Sequence, residues 1–161
     1  MSTLKVGTIQ DHANSNTAIS IDSSGRVTLP QRVAFMGKKT DTNQLDNSTN
    51  AIAFNHTDLA HASWDGTTFT APITGLYRIF INGHRQTTGT NPMELAILVN
   101  DSIIETGYAL GASTGRPRVS AETLTVLTAG QTVTFKVTQG DVFAGNNAQS
   151  SGVMCSGYLI G

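Results

Sequence analysis

The run WDGTTFTAPITGLYRIFIN, residues 64–82, constrains the fold more than any other stretch. Asp65-Gly66 suits a hairpin turn, because glycine accepts a positive φ without a Cβ clash. Phe69 opens a strand that Pro72 closes, since proline brings no amide donor to a ladder, and Gly75 permits the reversal into the next strand. In LYRIFIN the side chains alternate, so Tyr77, Ile79 and Ile81 share one face and Leu76, Arg78 and Phe80 the other. Both faces are largely apolar, the pattern of a strand covered on one side by a second sheet and on the other by a neighbour. The alternation does not say which face meets which. Arg78 then needs an acceptor or an open rim.

The same habit recurs along the chain. MELAILVND sets Met93, Leu95, Ile97 and Val99 against Glu94, Ala96, Leu98 and Asn100, with Asn100-Asp101 as the turn into SIIETGYAL. VSAETLTVLTAGQTVTFKVTQ predicts a hairpin around Ala129-Gly130, with Leu124, Val126, Val133, Phe135 and Val137 facing in. RVAFMG, AIAFNH and VMCSGYLIG supply further strands, and a polar loop is expected from Lys38 to Thr49. No helical period, heptad or fixed repeat is present. Roughly eight strands follow Arg32 at sandwich or jelly-roll spacing.

Composition agrees with an all-β reading. Charged residues make up 13% of the chain, well under the usual ~25%, and Thr, Ser, Asn and Gly replace them without favouring helices. A length of 161 residues fits one domain with a short appendage. The expected division is an anchoring or interlacing segment over 1–31, holding the short pieces LKVGTIQ, AISID and RVTLP, and a head over 32–161. With 10 basic and 11 acidic residues the net charge is −1, which gives no electrostatic reason for a nucleic-acid partner. No segment has the apolar length of a membrane helix or a signal peptide. Cys155 is the single cysteine, so no internal disulfide forms, and on an apolar strand it is expected to be an inert small hydrophobe.

Candidate chemistry is sparse. His56, Asp58 and His61 lie close in HTDLAH, but a solvated loop is the favoured reading over a metal site. Asp11-His12 has only the generic Ser15 and Ser20 for a nucleophile. Trp64, beside a hairpin turn, is expected to pack rather than to stack a sugar. Arg116 and Arg118 in GRPR either solvate a loop or touch an acidic glycan or phosphate. TGTNP and GDVFAGNNAQSSG read as loops without the strand-to-helix context of a phosphate cradle. No catalytic residue, metal or cofactor is assigned, and the chain is not expected to be an enzyme.

Residues 32–161 resemble the jelly-roll head shared by the complement first-component q subunit and the tumour necrosis factor superfamily. The matching pieces are VAF at 33–35, DGTTFTAPITGLYRIFI at 65–81, LVN at 98–100, LTVLTAGQTVTF at 124–135 and SGYLI at 156–160. The resemblance implies an antiparallel two-sheet jelly-roll sandwich of about ten strands that forms a compact homotrimer. Tyr77, Ile79, Leu95, Ile97, Tyr158 and Ile160 are the residues expected to fill its core or its trimer interface. One departure is Gly130-Gln131, where many relatives carry Gly-Asp, and no calcium ligand is carried over. The N-terminal STLKVGTIQDHANSNTAISIDSSGRVTL is similar to leaders of tail-fibre-like virion proteins of marine bacteriophages.

Together these resemblances imply a homotrimeric bacteriophage virion protein, assembled in the host cytoplasm, that decorates the capsid as a head fibre or forms a short fibre head. Residues 1–31 would join it to other capsid or tail proteins. The alternative is a tail-fibre tip that binds host surface carbohydrate or protein, with Arg116 and Arg118 in the contact loop. No membrane partner is expected.

Overall fold

A computed structural model describes residues 6–10, 12–13, 17–28, 32–40, 44–46, 50–59, 61–84, 91–111, 117–143, 145–147 and 150–160. Every helix or strand among them is a strand, and the chain divides into two compact units, Met1–Val33 and Ala34–Gly161.

The first unit is a three-stranded antiparallel meander of β1 (Thr8–Gln10), β2 (Thr17–Ile21) and β3 (Val27–Thr28). Its second turn is built by Asp22, whose Oδ1 accepts the amides of Ser24 and Arg26 at 2.9 Å each. Those amides and the Arg26 guanidinium hold the Asp22 carboxyl below the usual carboxylate range. Among the described residues of this unit only Val33 is buried.

The second unit contains β4 (Ala34–Lys39), β5 (Gln44–Asp46), β6 (His56–Leu59), β7 (Phe69–Thr70), β8 (Gly75–His84), β9 (Met93–Val99), β10 (Ser102–Ala109), β11 (Arg118–Leu127), β12 (Thr132–Gln139), β13 (Asp141–Phe143), β14 (Gly145–Asn147), β15 (Ser150–Ser151) and β16 (Val153–Leu159). Two antiparallel sheets dominate, one ordered β11-β8-β16-β4-β6 and the other β10-β9-β12-β7, with β13-β5 and β14-β15 as small ribbons. Their non-sequential order is that of a jelly roll. The second sheet has four strands. Beyond the two residues where β7 pairs, the free edge of β12 takes the Ile52 amide on the Phe135 carbonyl at 2.8 Å.

The core lies between the sheets. Tyr77, Ile79 and Ile81 of β8 and Leu95 and Ile97 of β9 are all fully buried. Phe35 is the hub of an aromatic cluster, stacked on Trp64 at 4.7 Å and on Phe69 at 4.6 Å, while Phe135 meets Phe54 edge-on at 5.9 Å. Such pairs add about 0.5–1.5 kcal/mol beyond their buried area. Gly157 lies directly opposite Phe35 in the ladder, and a Cβ there would come within 2.5 Å of the ring. The missing side chain is therefore the ring's space. Tyr77 donates its hydroxyl to the Ile73 carbonyl at 2.8 Å, which satisfies the buried phenol and ties down the bend before β8. Burial raises its pKa.

The turns follow their residues. Asn100 and Asp101 have φ of 48° and 62°, the left-handed pair that a tight β9–β10 hairpin requires. Gly66 has φ 94°, and Asp65 Oδ1 beside it accepts the amides of Thr67 and Thr68 at 2.7 Å.

Three sequence expectations fail. First, β11 and β12 join through the expected Gly130 turn but do not pair: β11 lies along β8 from Arg118–His84 to Leu127–Gly75, whereas β12 pairs with β9 and β7. The turn is bonded instead to the chain leaving β7, with Gly130 donating to the Ala71 carbonyl and Ala71 to that of Gln131. In β11, Val119, Ala121 and Leu127 take the core side, and Leu124 and Val126 face outward. Alternation fixes which residues share a face but not the direction of that face. Second, segments read as loop are strands: HTDL is β6, recruited by the edge of β4, while β5, inside the expected loop Lys38–Thr49, pairs with β13, and β14 pairs with β15 within GDVFAGNNAQSSG. Third, AIAFNH forms no strand over 51–55, although Ile52 and Phe54 are buried.

A candidate assembly face on the five-stranded sheet

The ladder register defines the outward face of the five-stranded sheet row by row, because directly opposed residues point the same way. At one end Val126, Leu76 and Ile160 lie side by side, the Ile160 N–H donating a hydrogen bond to the Leu76 carbonyl. The next row is Leu124, Arg78, Tyr158 and Ala34, followed by Glu122, Phe80, Ser156, Met36 and Leu59. Then come Ser120, Asn82, Met154, Lys38 and His56, and finally Arg118 with His84. The face is thus aliphatic at one end and polar with basic groups at the other.

The aliphatic end is uncovered. Leu124 is 61% exposed, Val126 66% and Ile160 50%. Apolar side chains grouped on one face in this way make this end the candidate contact surface. In its middle, Arg78 makes a bidentate pair with Glu122, Nε to Oε1 at 2.6 Å and Nη2 to Oε2 at 2.9 Å, and also bonds Tyr158. The Glu122 carboxylate raises the Arg78 pKa, and the guanidinium holds Glu122 below the ordinary glutamate range. The lone charge that the sequence set on this strand therefore has its acceptor within the same chain. A partner covering this face meets a neutralised, geometrically fixed pair rather than an isolated ion.

The six residues read from the sequence separate into two groups. Tyr77, Ile79, Leu95 and Ile97 lie between the sheets, while Tyr158, half-buried, and Ile160 lie on the outward face. The structure brings Leu76, Leu124, Val126 and Met36 to the same face as Tyr158 and Ile160, and these were missed as a group. Their signal was the second apolar register of β8. In β11 it was hidden by the mistaken inward direction.

The other candidates are placed as follows. Asp58 is bonded by Lys38 and by His56 Nε2, the latter at 3.0 Å, and its carboxyl is held low chiefly by the Lys38 hydrogen bond. His61 pairs instead with Ser63 at 3.1 Å. Among the described residues no group of three His, Cys, Asp or Glu side chains is arranged to hold a metal ion. Trp64 is buried in the aromatic cluster. Cys155 is 1% exposed, and burial pushes its thiol pKa up, away from the reactive thiolate. Asp11, Ser15 and Arg116 lie outside the described residues. Arg118 is exposed at the start of β11 and borders a shallow recess of about 420 Å³ lined also by Phe80, Asn82, His84, Ser120 and Met154.

No family model matches the chain, and no curated protein matches it in sequence. Solved structures do match in shape. The globular domain of zebrafish complement 1qA protein aligns with a TM-score of 0.62 and 14% identity, covering 80% of this chain and 97% of that one. The Eiger tumour necrosis factor of S. frugiperda aligns at 0.62 with 11% identity over 81% and 93% of the two chains. Murine APRIL aligns at 0.59 with 10% identity over 80% and 100%. These likenesses show the fold: the chain carries an all-β, two-sheet jelly roll of the kind seen in the complement 1q and tumour necrosis factor heads.

Proposed function

We propose that the chain is a structural virion protein of a bacteriophage whose head self-associates into a homotrimer through the outward face of the five-stranded sheet. The observation that carries the association is the uncovered aliphatic end, Leu76, Leu124, Val126 and Ile160, arranged around an internally neutralised Arg78–Glu122 pair. Apolar burial of about 25 cal/mol per Å² supplies the driving force, and the paired charges keep its centre from opposing closure. The phage assignment rests on the likeness of the N-terminal leader to those of tail-fibre-like proteins. Residues 1–31 attach the trimer to capsid or tail, and the product resides in the virion as a decoration, head fibre or short fibre head. Assembly, not catalysis, is the activity.

Two measurements test this reading. Light scattering of the purified chain returns a trimer, and a monomer at micromolar concentration refutes the association. Purified phage particles lacking the protein bind the full chain but not residues 32–161 alone. Equal binding of the two refutes the role of the leader.

A second reading, a receptor-binding tip, is favoured by the recess around Arg118. Its lining presents the Arg118 guanidinium with Asn82, Ser120 and His84 and, among the described residues, contains no carboxylate. That chemistry suits an acidic sugar. Binding to intact host cells that is lost in Arg118→Ala supports this reading, and binding unchanged by the substitution removes it.

A further inference from the structure

The small N-terminal sheet is amphipathic in a way its own unit does not use. Ile9 lies opposite Ile19, and Ile21 opposite Val27, while Ile19 and Ile21 stand two apart on one strand. All four aliphatic side chains therefore share a face. Thr8 and Ser20, opposite each other, take the reverse face. Ile9, Ile21 and Val27 are 51%, 40% and 63% exposed, and Ile19 is half-buried. Among the described residues, the charges in the β2–β3 turn, Asp22 and Arg26, pair with each other. The unit thus has the pattern of one half of a sandwich, and strands paired over only three and two positions bury too little to be more than marginal alone in water.

We infer that the missing half is the same face of the other copies: in the trimer the three N-terminal sheets pack aliphatic face against aliphatic face. This rests on the trimer reading above. The occupant follows from chemistry and size. The face offers four β-branched aliphatics, with Thr17 at one end of its row, so whatever covers it is largely apolar, and the same face of another copy meets that requirement. Four side chains are a small fraction of the ~1,600 Å² of a standard interface, so a partner arriving from solution binds weakly. Copies already joined through their heads meet at an effective concentration on the order of millimolar, which turns a weak contact into a formed one. Stiff Ile and Val side chains lose little rotamer freedom in such packing. The Thr8–Ser20 face and the outer edges of β1 and β3 then remain for the particle.

Hydrogen exchange on the full chain, with its mass checked by light scattering, tests this. The amides of Thr17–Ile21 are expected to exchange at least tenfold more slowly in the isolated trimer than in an Ile160→Asp monomer. Val27→Asp is expected to abolish that protection while leaving the trimer mass and the head amides unchanged, and Thr8→Asp on the reverse face to leave the protection intact. Unprotected Thr17–Ile21 amides in a chain of confirmed trimeric mass overturn the inference and leave the trimer standing. So does protection that appears only when phage particles are added, which assigns the face to the particle. Equal loss in Thr8→Asp and Val27→Asp overturns the face assignment. A wild-type monomer overturns the trimer reading and this inference with it.

Discussion

The two faces of the five-stranded sheet are both apolar, yet only one is finished. On the inner face Tyr77, Ile79, Phe35 and Cys155 pack against the second sheet and are essentially inaccessible. On the outer face Leu124, Val126 and Ile160 keep half or more of their surface in water. Successive residues of the same strands supply both, so composition does not distinguish them. What distinguishes them is whether the chain itself provides the cover. Within the head, folding completes the first face, and in the proposed trimer association completes the second.

Substitutions on the two faces should therefore fail differently. Ile79→Asp places an unpaired carboxylate between the sheets and is expected to yield no folded protein, seen as loss of β-sheet circular dichroism. Phe35→Ala removes the hub of the aromatic cluster and should cost about 3–5 kcal/mol in denaturant unfolding. Ile160→Asp, by contrast, should leave the head folded and convert the trimer to a monomer, because the new charge is solvated in the monomer and stranded only in the interface. An unfolded Ile160→Asp chain would erase the contrast between the faces. Replacing Leu124 and Val126 together by Ser should weaken association by about 100-fold, consistent with roughly 1–2 kcal/mol from each, with unchanged circular dichroism.

The smallest effect belongs to the ion pair. Glu122→Gln should weaken association by no more than about tenfold, and more in low salt than in high salt. The Glu122 carboxyl is held below its ordinary range by Arg78 of the same chain, so its contribution to folding is fully present above the normal glutamate pKa and is lost as pH falls through the depressed value. The denaturant stability of the head should accordingly begin to fall below about pH 4, and fall less in Glu122→Gln. A loss of stability already under way at neutral pH would assign it to other groups.

Much of the fold was legible because local chemistry dictated it. The left-handed turns at Gly66, Asn100-Asp101 and Gly130, the end of β7 before Pro72 and the two-sided strand 75–84 all follow from residue type and alternation. What stayed hidden was partnership. LTVLTAGQTVTF has the pattern of a hairpin, and only its long-range bonds to Ala71 and to β8 send the two strands into different sheets. HTDL and DVF carry weak strand patterns and are strands because β4 and β5 offer edges. For the candidate face, the two-sidedness of β8 was visible in Leu76 and Phe80, but the direction of β11, and hence Leu124 and Val126, required the register.

The most direct test is sedimentation equilibrium of the purified wild-type chain beside Ile160→Asp at micromolar concentration. The account predicts three times the 17.0 kDa chain mass for the wild type and a single folded chain for the variant. A wild type that sediments as one 17.0 kDa chain, or a variant that remains trimeric, contradicts it.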